Sequence, residues 1–271
     1  MLVTTRFADL DSIQLKDQTV TYAAIRSEFV FDNSVAHGLN DIEGARVKAS
    51  FEKYVAPGQS YRDFAKLTVD ARYYQRIHRG LTFASRASFG AFLGQAKKNF
   101  LLGGMDNWLF NSTSHSGINN PLMLALYYNN SDILFVRYIT NMRGFNYNTQ
   151  YGNNFLLFNE ELRWPVVRYF YRGAISSNIL KNLQLVAFMD IGSAWSGLNP
   201  FKSTNNINTQ VVTTAPFTAT VKNYINPFLV GYGGGLRTLI LGYYVKFDVG
   251  WGILDYKVQS PKYYLTFGYD F

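Results

Sequence analysis

Alternate positions along the last ten residues, Lys262 to Phe271, belong to two chemical sets. Tyr263, Leu265, Phe267, Tyr269 and Phe271 are large and apolar; Lys262, Thr266, Gly268 and Asp270 are small or polar, and Tyr264 is the one exception among them. Successive side chains of a strand point to opposite faces, so a strand here has one apolar face and one wet face. About nine to eleven residues is also the length with which a tilted strand crosses a bilayer. A strand of a water-soluble sandwich carries the same alternation, so this segment alone leaves the solvent of its apolar face open.

The pattern recurs upstream. Tyr243, Val245, Phe247, Val249 and Trp251 oppose Tyr244, Lys246, Asp248 and Gly250; Leu185, Ala187, Met189 and Ile191 oppose Gln184, Val186, Phe188 and Asp190. Leu156, Phe158, Leu162 and Trp164 oppose Asn159, Glu161 and Arg163, and Ala23 to Phe31, Ala45 to Lys53, Ala65 to Tyr73 and Leu81 to Leu93 alternate likewise. In Phe228 to Thr238 the run Gly233, Gly234, Gly235 marks a bend or a close backbone approach within a strand. About ten strands result, counting a weakly patterned one in the opening dozen residues, with no long amphipathic helix.

Charge follows the same division. Arg26, Glu28, Arg46, Lys48, Glu52, Lys66, Asp70, Arg72, Arg86, Glu161, Arg163, Asp190, Arg237, Lys246 and Asp248 all fall on the polar sets. An Arg or Lys facing lipid at mid-depth costs about 2–4 kcal/mol, so this sorting suits a sheet with a greasy exterior and an ion-paired, hydrated interior. Lys53 and Glu160 break the rule. Lys53 lies near a strand end, where its ammonium can snorkel; Glu160 has no such account.

Composition agrees with an aromatic-girdled barrel. The chain has 20 Tyr and 22 Phe among 271 residues, yet mean hydropathy is −0.08. Nothing approaches the roughly 18 consecutive apolar residues of a spanning helix. The net charge of +8 comes from Lys and Arg placed singly rather than in runs or on one helix face, which argues against a nucleic-acid partner. The lack of Cys fits an oxidising envelope compartment. His37, His78 and His115 lie far apart in predicted turns or loops, and neither a nucleophile elbow nor metal-ligand spacing occurs. No enzymatic activity, metal or cofactor is expected.

Short connections (32–43, 77–79, 239–242) alternate with longer loops rich in Asn, Ser and Thr (95–150, 196–226), as periplasmic turns alternate with extracellular loops in outer-membrane barrels. The expected fold is therefore all-β, an antiparallel transmembrane β-barrel over residues 19–271, preceded by a weakly defined strand or loop over 1–18.

Several motifs then occur in order: Leu102-Gly103-Gly104-Met105-Asp106-Asn107-Trp108-Leu109; Met142-Arg143-Gly144-Phe145; Gly152-Asn153; Glu161-Leu162-Arg163-Trp164-Pro165; Phe188-Met189-Asp190-Ile191-Gly192; Gly233-Gly234-Gly235-Leu236-Arg237; Asp248-Val249-Gly250-Trp251-Gly252; and a terminal Phe271. In this order and spacing the chain resembles the C-terminal barrel of the BamA/TamA-type outer-membrane assembly superfamily (the bacterial surface antigen barrel), most closely its Bacteroidetes branch, over roughly residues 20 to 271. The resemblance implies a loop folded back into the lumen, with Arg143 paired to Glu161 and Asp190. A guanidinium fork can serve two carboxylates at once, Gly144 permits a tight turn, and Phe145 packs against the wall. Taken without the resemblance, Arg143 reads as a solvated loop residue.

The resemblance further implies a bacterial outer-membrane location, a barrel of about sixteen strands of which this chain is the C-terminal part, and a role in inserting or translocating envelope proteins. The working seam would involve the last strand, through Tyr263, Leu265, Phe267, Gly268, Tyr269 and Phe271, with Gly268 weakening its pairing. Partners would be outer-membrane lipid, nascent outer-membrane proteins, and periplasmic or surface accessory proteins. Met1 to Asp9 lacks a basic segment followed by an apolar one, so a longer precursor or a truncated gene model is expected. The alternative function is a non-catalytic barrel that anchors an upstream domain or serves as a surface-display or secretion pore. A passive porin would conduct ions, and more strongly after Arg143→Ala.

Overall fold

A computed structural model describes residues 20–38, 40–111, 135–202 and 225–268, together with the backbone of 209–214 and 217–222. Its strands are β1 (Ala23–Asp32), β2 (Val35–Gly38), β3 (Asp41–Val55), β4 (Phe64–His78), β5 (Leu81–Gly94), β6 (Phe100–Leu102), β7 (Arg137–Ile139), β8 (Gln150–Gly152), β9 (Asn154–Trp164), β10 (Gln184–Trp195), β11 (Thr209–Thr214), β12 (Phe217–Lys222), β13 (Leu229–Ile240), β14 (Tyr243–Leu254), β15 (Lys257–Val258) and β16 (Lys262–Phe267). One 11-stranded antiparallel sheet dominates, in the order β1-β3-β4-β5-β9-β10-β13-β14, with β15 and β16 both on β14 and β2 on β3. Each long strand pairs with the next long strand in sequence, as hairpin connections dictate.

Cross-strand partners share a face, so register converts the alternation into rows. Arg163, Val186, Gly235, Asp248 and Tyr264 form one row; Glu161, Phe188, Gly233, Gly250 and Lys262 form the next. Asn159, Asp190, Gly231 and Gly252 form a third. These rows line the concave side, where Glu52, Lys66, Glu161, Arg163, Asp190, Arg237, Lys246 and Asp248 are all buried. On the convex side Phe51, Phe89, Phe158, Leu162, Leu185, Met189, Leu236 and Phe247 are exposed, Met189 to 45%. Burial of so many charged side chains is unusual, since charged side chains are ordinarily the least buried unless paired.

The segment between β5 and β9 fills part of the concavity. β6 pairs with β7 and β8 in a small sheet of its own. Phe100, Leu102, Met142 and Phe145 from this segment pack with Phe64, Phe92, Phe155, Leu157, Ala194 and Leu229 of the wall in one apolar cluster. Tyr54 stacks on Phe64, with ring centroids 4.7 Å apart.

Several expectations need correction. The sheet is not closed: β1 and β16 are its two ends, and among the described residues they do not pair. Among the described residues no strand lies beyond β1, and β1 is exposed along its whole length. The opening dozen residues, and the 1–18 segment as a whole, lie outside the described residues. The last strand is regular over only six residues, Lys262–Phe267, and ends where Gly268 turns to φ +130, a backbone state that favours glycine. Tyr269 and Phe271 lie outside the described residues. β3 and β4, at 15 residues each, are longer than their alternation predicted. The connection 165–183, on the short-turn side, contains two short helices, Val166–Phe170 and Asn178–Lys181. Glu160, unexplained from sequence, receives a hydrogen bond from the Ser85 hydroxyl directly across β5 and β9. Lys53 is half-buried near the end of β3, on the outer row between Ile25 and Ala65.

Candidate functional site

Local sequence explains how Arg143 enters the wall. The preceding segment is pinned by a bridge between Gly104 and Met142, whose N–H donates to the Gly104 carbonyl at 2.9 Å. Gly144 then adopts φ +89, where an L side chain is strained. A Cβ on Gly144 would lie 2.6 Å from the backbone of Trp251 and Gly252. The wall is correspondingly bare: a Cβ on Gly231 would lie 1.9 Å from the Arg143 carbonyl oxygen, and one on Gly252 would lie 2.6 Å from that of Gly144. Glycines on β13 and β14 thus form a track on which residues 143–145 rest backbone to backbone.

Seated there, Arg143 is 1% exposed and uses every nitrogen. Nε and Nη2 donate to the two oxygens of Asp190, both at 2.7 Å. The backbone N–H donates to Asp190 Oδ2 at 3.0 Å, and Nη1 donates to Glu161 Oε1 at 2.5 Å. Asp248 stands 4.0 Å away, and the Phe188 ring centroid lies 3.7 Å from the guanidinium carbon. Such a bidentate, charge-assisted fork is the strongest kind of side-chain hydrogen bonding. Burial by itself would disfavour the cation, but Asp190, Glu161 and Asp248 outweigh it and hold the Arg143 pKa above its ordinary value.

The pairing extends beyond the two acids that the resemblance implied. Glu161 also accepts from Arg163 Nε at 2.8 Å and from Arg237 Nη2 at 3.0 Å, while Arg237 Nη1 donates to Asp248 at 3.1 Å. Asn159 Nδ2 donates to Asp190 at 2.8 Å, and Arg163 Nη1 reaches Asn40 on the far side of the concavity at 3.2 Å. Buried ions are tolerable when each is paired and its remaining hydrogen-bonding capacity is used.

Tyr264 is the residue that sequence reasoning missed. Its hydroxyl accepts from Gly144 N–H and donates to the Phe145 carbonyl, both at 2.8 Å, tying the loop to the last strand. A signal was present, because Tyr264 was the one large side chain in an otherwise small or polar set. Removing the hydroxyl leaves two buried backbone groups without that partner. Tyr264→Phe should therefore cost about 1–3 kcal/mol. It should also speed hydrogen exchange at the Gly144 amide by at least tenfold; unchanged protection there would refute the tie.

The same inserted segment covers the edge of β16. Trp108 Nε1 donates to the Tyr263 carbonyl at 3.0 Å, Leu109 N–H to the Leu265 carbonyl at 2.9 Å, and Asn107 Nδ2 to the Phe267 carbonyl at 3.2 Å. Alternate carbonyls of an edge strand point away from the sheet, and here three successive ones are taken by three consecutive residues. Trp108 also packs on Tyr264, with ring centroids 4.5 Å apart. Of the expected seam residues, Tyr263, Leu265 and Phe267 supply those carbonyls. A Cβ on Gly268 would meet nothing within 4 Å.

Among the described residues no cluster of three or more His, Cys, Asp or Glu is disposed to hold a metal ion. His37 faces Glu43 at 3.1 Å and His78 packs on Tyr169, each engaged with its own partner; His115 lies outside the described residues. No protein-family model matches the sequence, and no curated protein matches it.

Proposed function

We propose that this chain is the C-terminal part of a bacterial outer-membrane β-barrel of the BamA/TamA-type assembly superfamily, assisting insertion or translocation of envelope proteins through a seam at its last strand. The observation that carries the reading is the inverted sheet, with ion pairs buried in its concavity and Phe, Leu and Met exposed along its convex side. Apolar area left in water forfeits about 25 cal/mol per Å², a loss that lipid removes. β9, β10, β13 and β14, with 11, 12, 12 and 12 residues, are long enough for tilted strands to span a bilayer, which takes about 9–11. An unpaired strand edge does not persist in lipid, so β1 requires a strand partner there and the seam lies between that completion and β16. Lipid, nascent barrel strands and accessory envelope proteins are the partners this reading needs; it needs no cofactor.

The chain should sediment with cell envelopes, resist extraction by alkaline carbonate and dissolve in detergent. Recovery as a water-soluble monomer would overturn the reading. The covered edge of β16 favours one rival, a sealed barrel that only anchors or displays an upstream domain. Leu109 and Leu265 are bridge partners, close enough for a disulfide between cysteines placed there. In vesicles, the oxidised Leu109→Cys/Leu265→Cys variant should lose acceleration of a second barrel's folding, read by heat-modifiable gel migration, and regain it on reduction. Acceleration indifferent to the lock would remove the seam, and none in any form would favour the anchor.

A further inference from the structure

The rim opposite the inserted loop carries a cavity whose lining cations lie outside the Arg143 network. Three connections converge on it: the end of β4 and its turn, with Arg76 and Arg79; the helical connection between β9 and β10, with Arg168, Arg172 and Lys181; and the β2–β3 hairpin. The cavity is about 250 Å³. Asp41 is its one lining carboxylate, and it is engaged by Arg76 at 3.3 Å and by the Thr82 hydroxyl at 3.3 Å. Among the described residues, Arg79, Arg168, Arg172 and Lys181 have no carboxylate partner. Cations gathered this closely repel one another unless an anion sits between them.

The surroundings indicate what kind of anion. Phe170 is 71% exposed, and Tyr171, Ile77, Ile179 and Leu180 are exposed beside it on the same connections. Trp164, Tyr169 and Phe170 form a ring cluster with centroids 5.2–5.7 Å apart at the end of β9. Guanidinium and ammonium groups interleaved with exposed aromatic and aliphatic side chains at the end of an apolar strand band match the chemistry of a membrane interface. A free phosphate would use the cations but leave these apolar side chains in water.

We infer that this rim binds the phosphate of an anionic lipid headgroup, the guanidinium groups holding the phosphate oxygens while the neighbouring aromatic and aliphatic side chains lie against the acyl chains. The inference rests on the membrane reading above for the source of the phosphate, though not for the anion site itself.

The test uses the full chain in a neutral detergent, titrated with short-chain phosphatidic acid, phosphatidylcholine or inorganic phosphate, with binding followed by native mass spectrometry and thermal shift. Phosphatidic acid should bind saturably and raise the melting temperature, phosphatidylcholine should not, and inorganic phosphate should compete only weakly. Reversing two charges, Arg168→Glu with Arg172→Glu, should weaken phosphatidic acid on the order of tenfold or more at low salt. Both residues are exposed, and unchanged far-ultraviolet circular dichroism would confirm that the variant folds. Equal affinity for inorganic phosphate and phosphatidic acid would overturn the lipid source. Undiminished binding by the folded double variant would overturn the site. A chain that proves water-soluble yet still binds phosphate in a manner dependent on Arg168 and Arg172 would refute the membrane reading and the lipid while sustaining the anion site.

Discussion

Arg143→Met should destabilise the protein by about 3–5 kcal/mol, because removing one member of a buried ionic group strands the others. Asp190 would lose two guanidinium bonds and Glu161 one, while both stay buried with Asp248 nearby. Methionine keeps much of the side-chain volume, so the loss reflects charge more than a cavity. Urea titration of the chain in detergent, read by tryptophan fluorescence, measures the effect; a change below about 1 kcal/mol would place the Arg143 network in the weak class of surface pairs. Arg143→Glu should be worse, since it buries a further carboxylate among three. Adding Asp190→Arg should restore part of the loss, the new pair meeting in reverse. Recovery stays incomplete because Asp190 also accepts from the Arg143 N–H and Asn159 Nδ2, which an arginine cannot do. No recovery at all, with normal folding of the single variant, would remove the lumen-loop anchor.

Gly231→Ala should have an effect comparable with the loss of Arg143 although it touches no charge. A methyl group there would stand 1.9 Å from the Arg143 carbonyl oxygen, a backbone atom that cannot swing aside. Residues 143–145 must lift off β13, and the fork on Asp190 then loses its geometry. Overpacking alone costs about 1–3 kcal/mol, and disturbing the buried pairs adds to it. The control is Gly234→Ala on the same strand, where the nearest atom, the Val186 carbonyl oxygen, is 3.4 Å away; it should change stability by less than about 0.5 kcal/mol. Because Gly231→Ala and Arg143→Met remove the same docked state, the double variant should cost little more than the worse single one, a non-additivity of about 1–3 kcal/mol. Strict additivity would mean that the glycine track and the arginine act separately.

Much of the fold was legible because a strand's two-residue period is local. The sets that named Phe247 and Val249 as one face and Lys246 and Asp248 as the other are the sets that register places on the convex and concave sides. Arg143, Glu161 and Asp190 came instead from resemblance, since a single arginine in a long loop carries no periodicity. A barrel was expected, of which this chain would be the C-terminal part, and among the described residues the sheet is open; pairing of the first and last strands depends on strand number and curvature rather than on any one segment.

The sequence by itself determined which side chains seek water and which seek a greasy surrounding, since that follows from alternation within a few residues of chain. Tertiary structure alone decided that Tyr264 holds Gly144 across 120 positions, that Asn107, Trp108 and Leu109 cover the edge of β16, and that Arg79, Arg168 and Lys181 surround one cavity. Those meetings depend on where the sheet's curl carries distant loops, and no local pattern encodes such a distance.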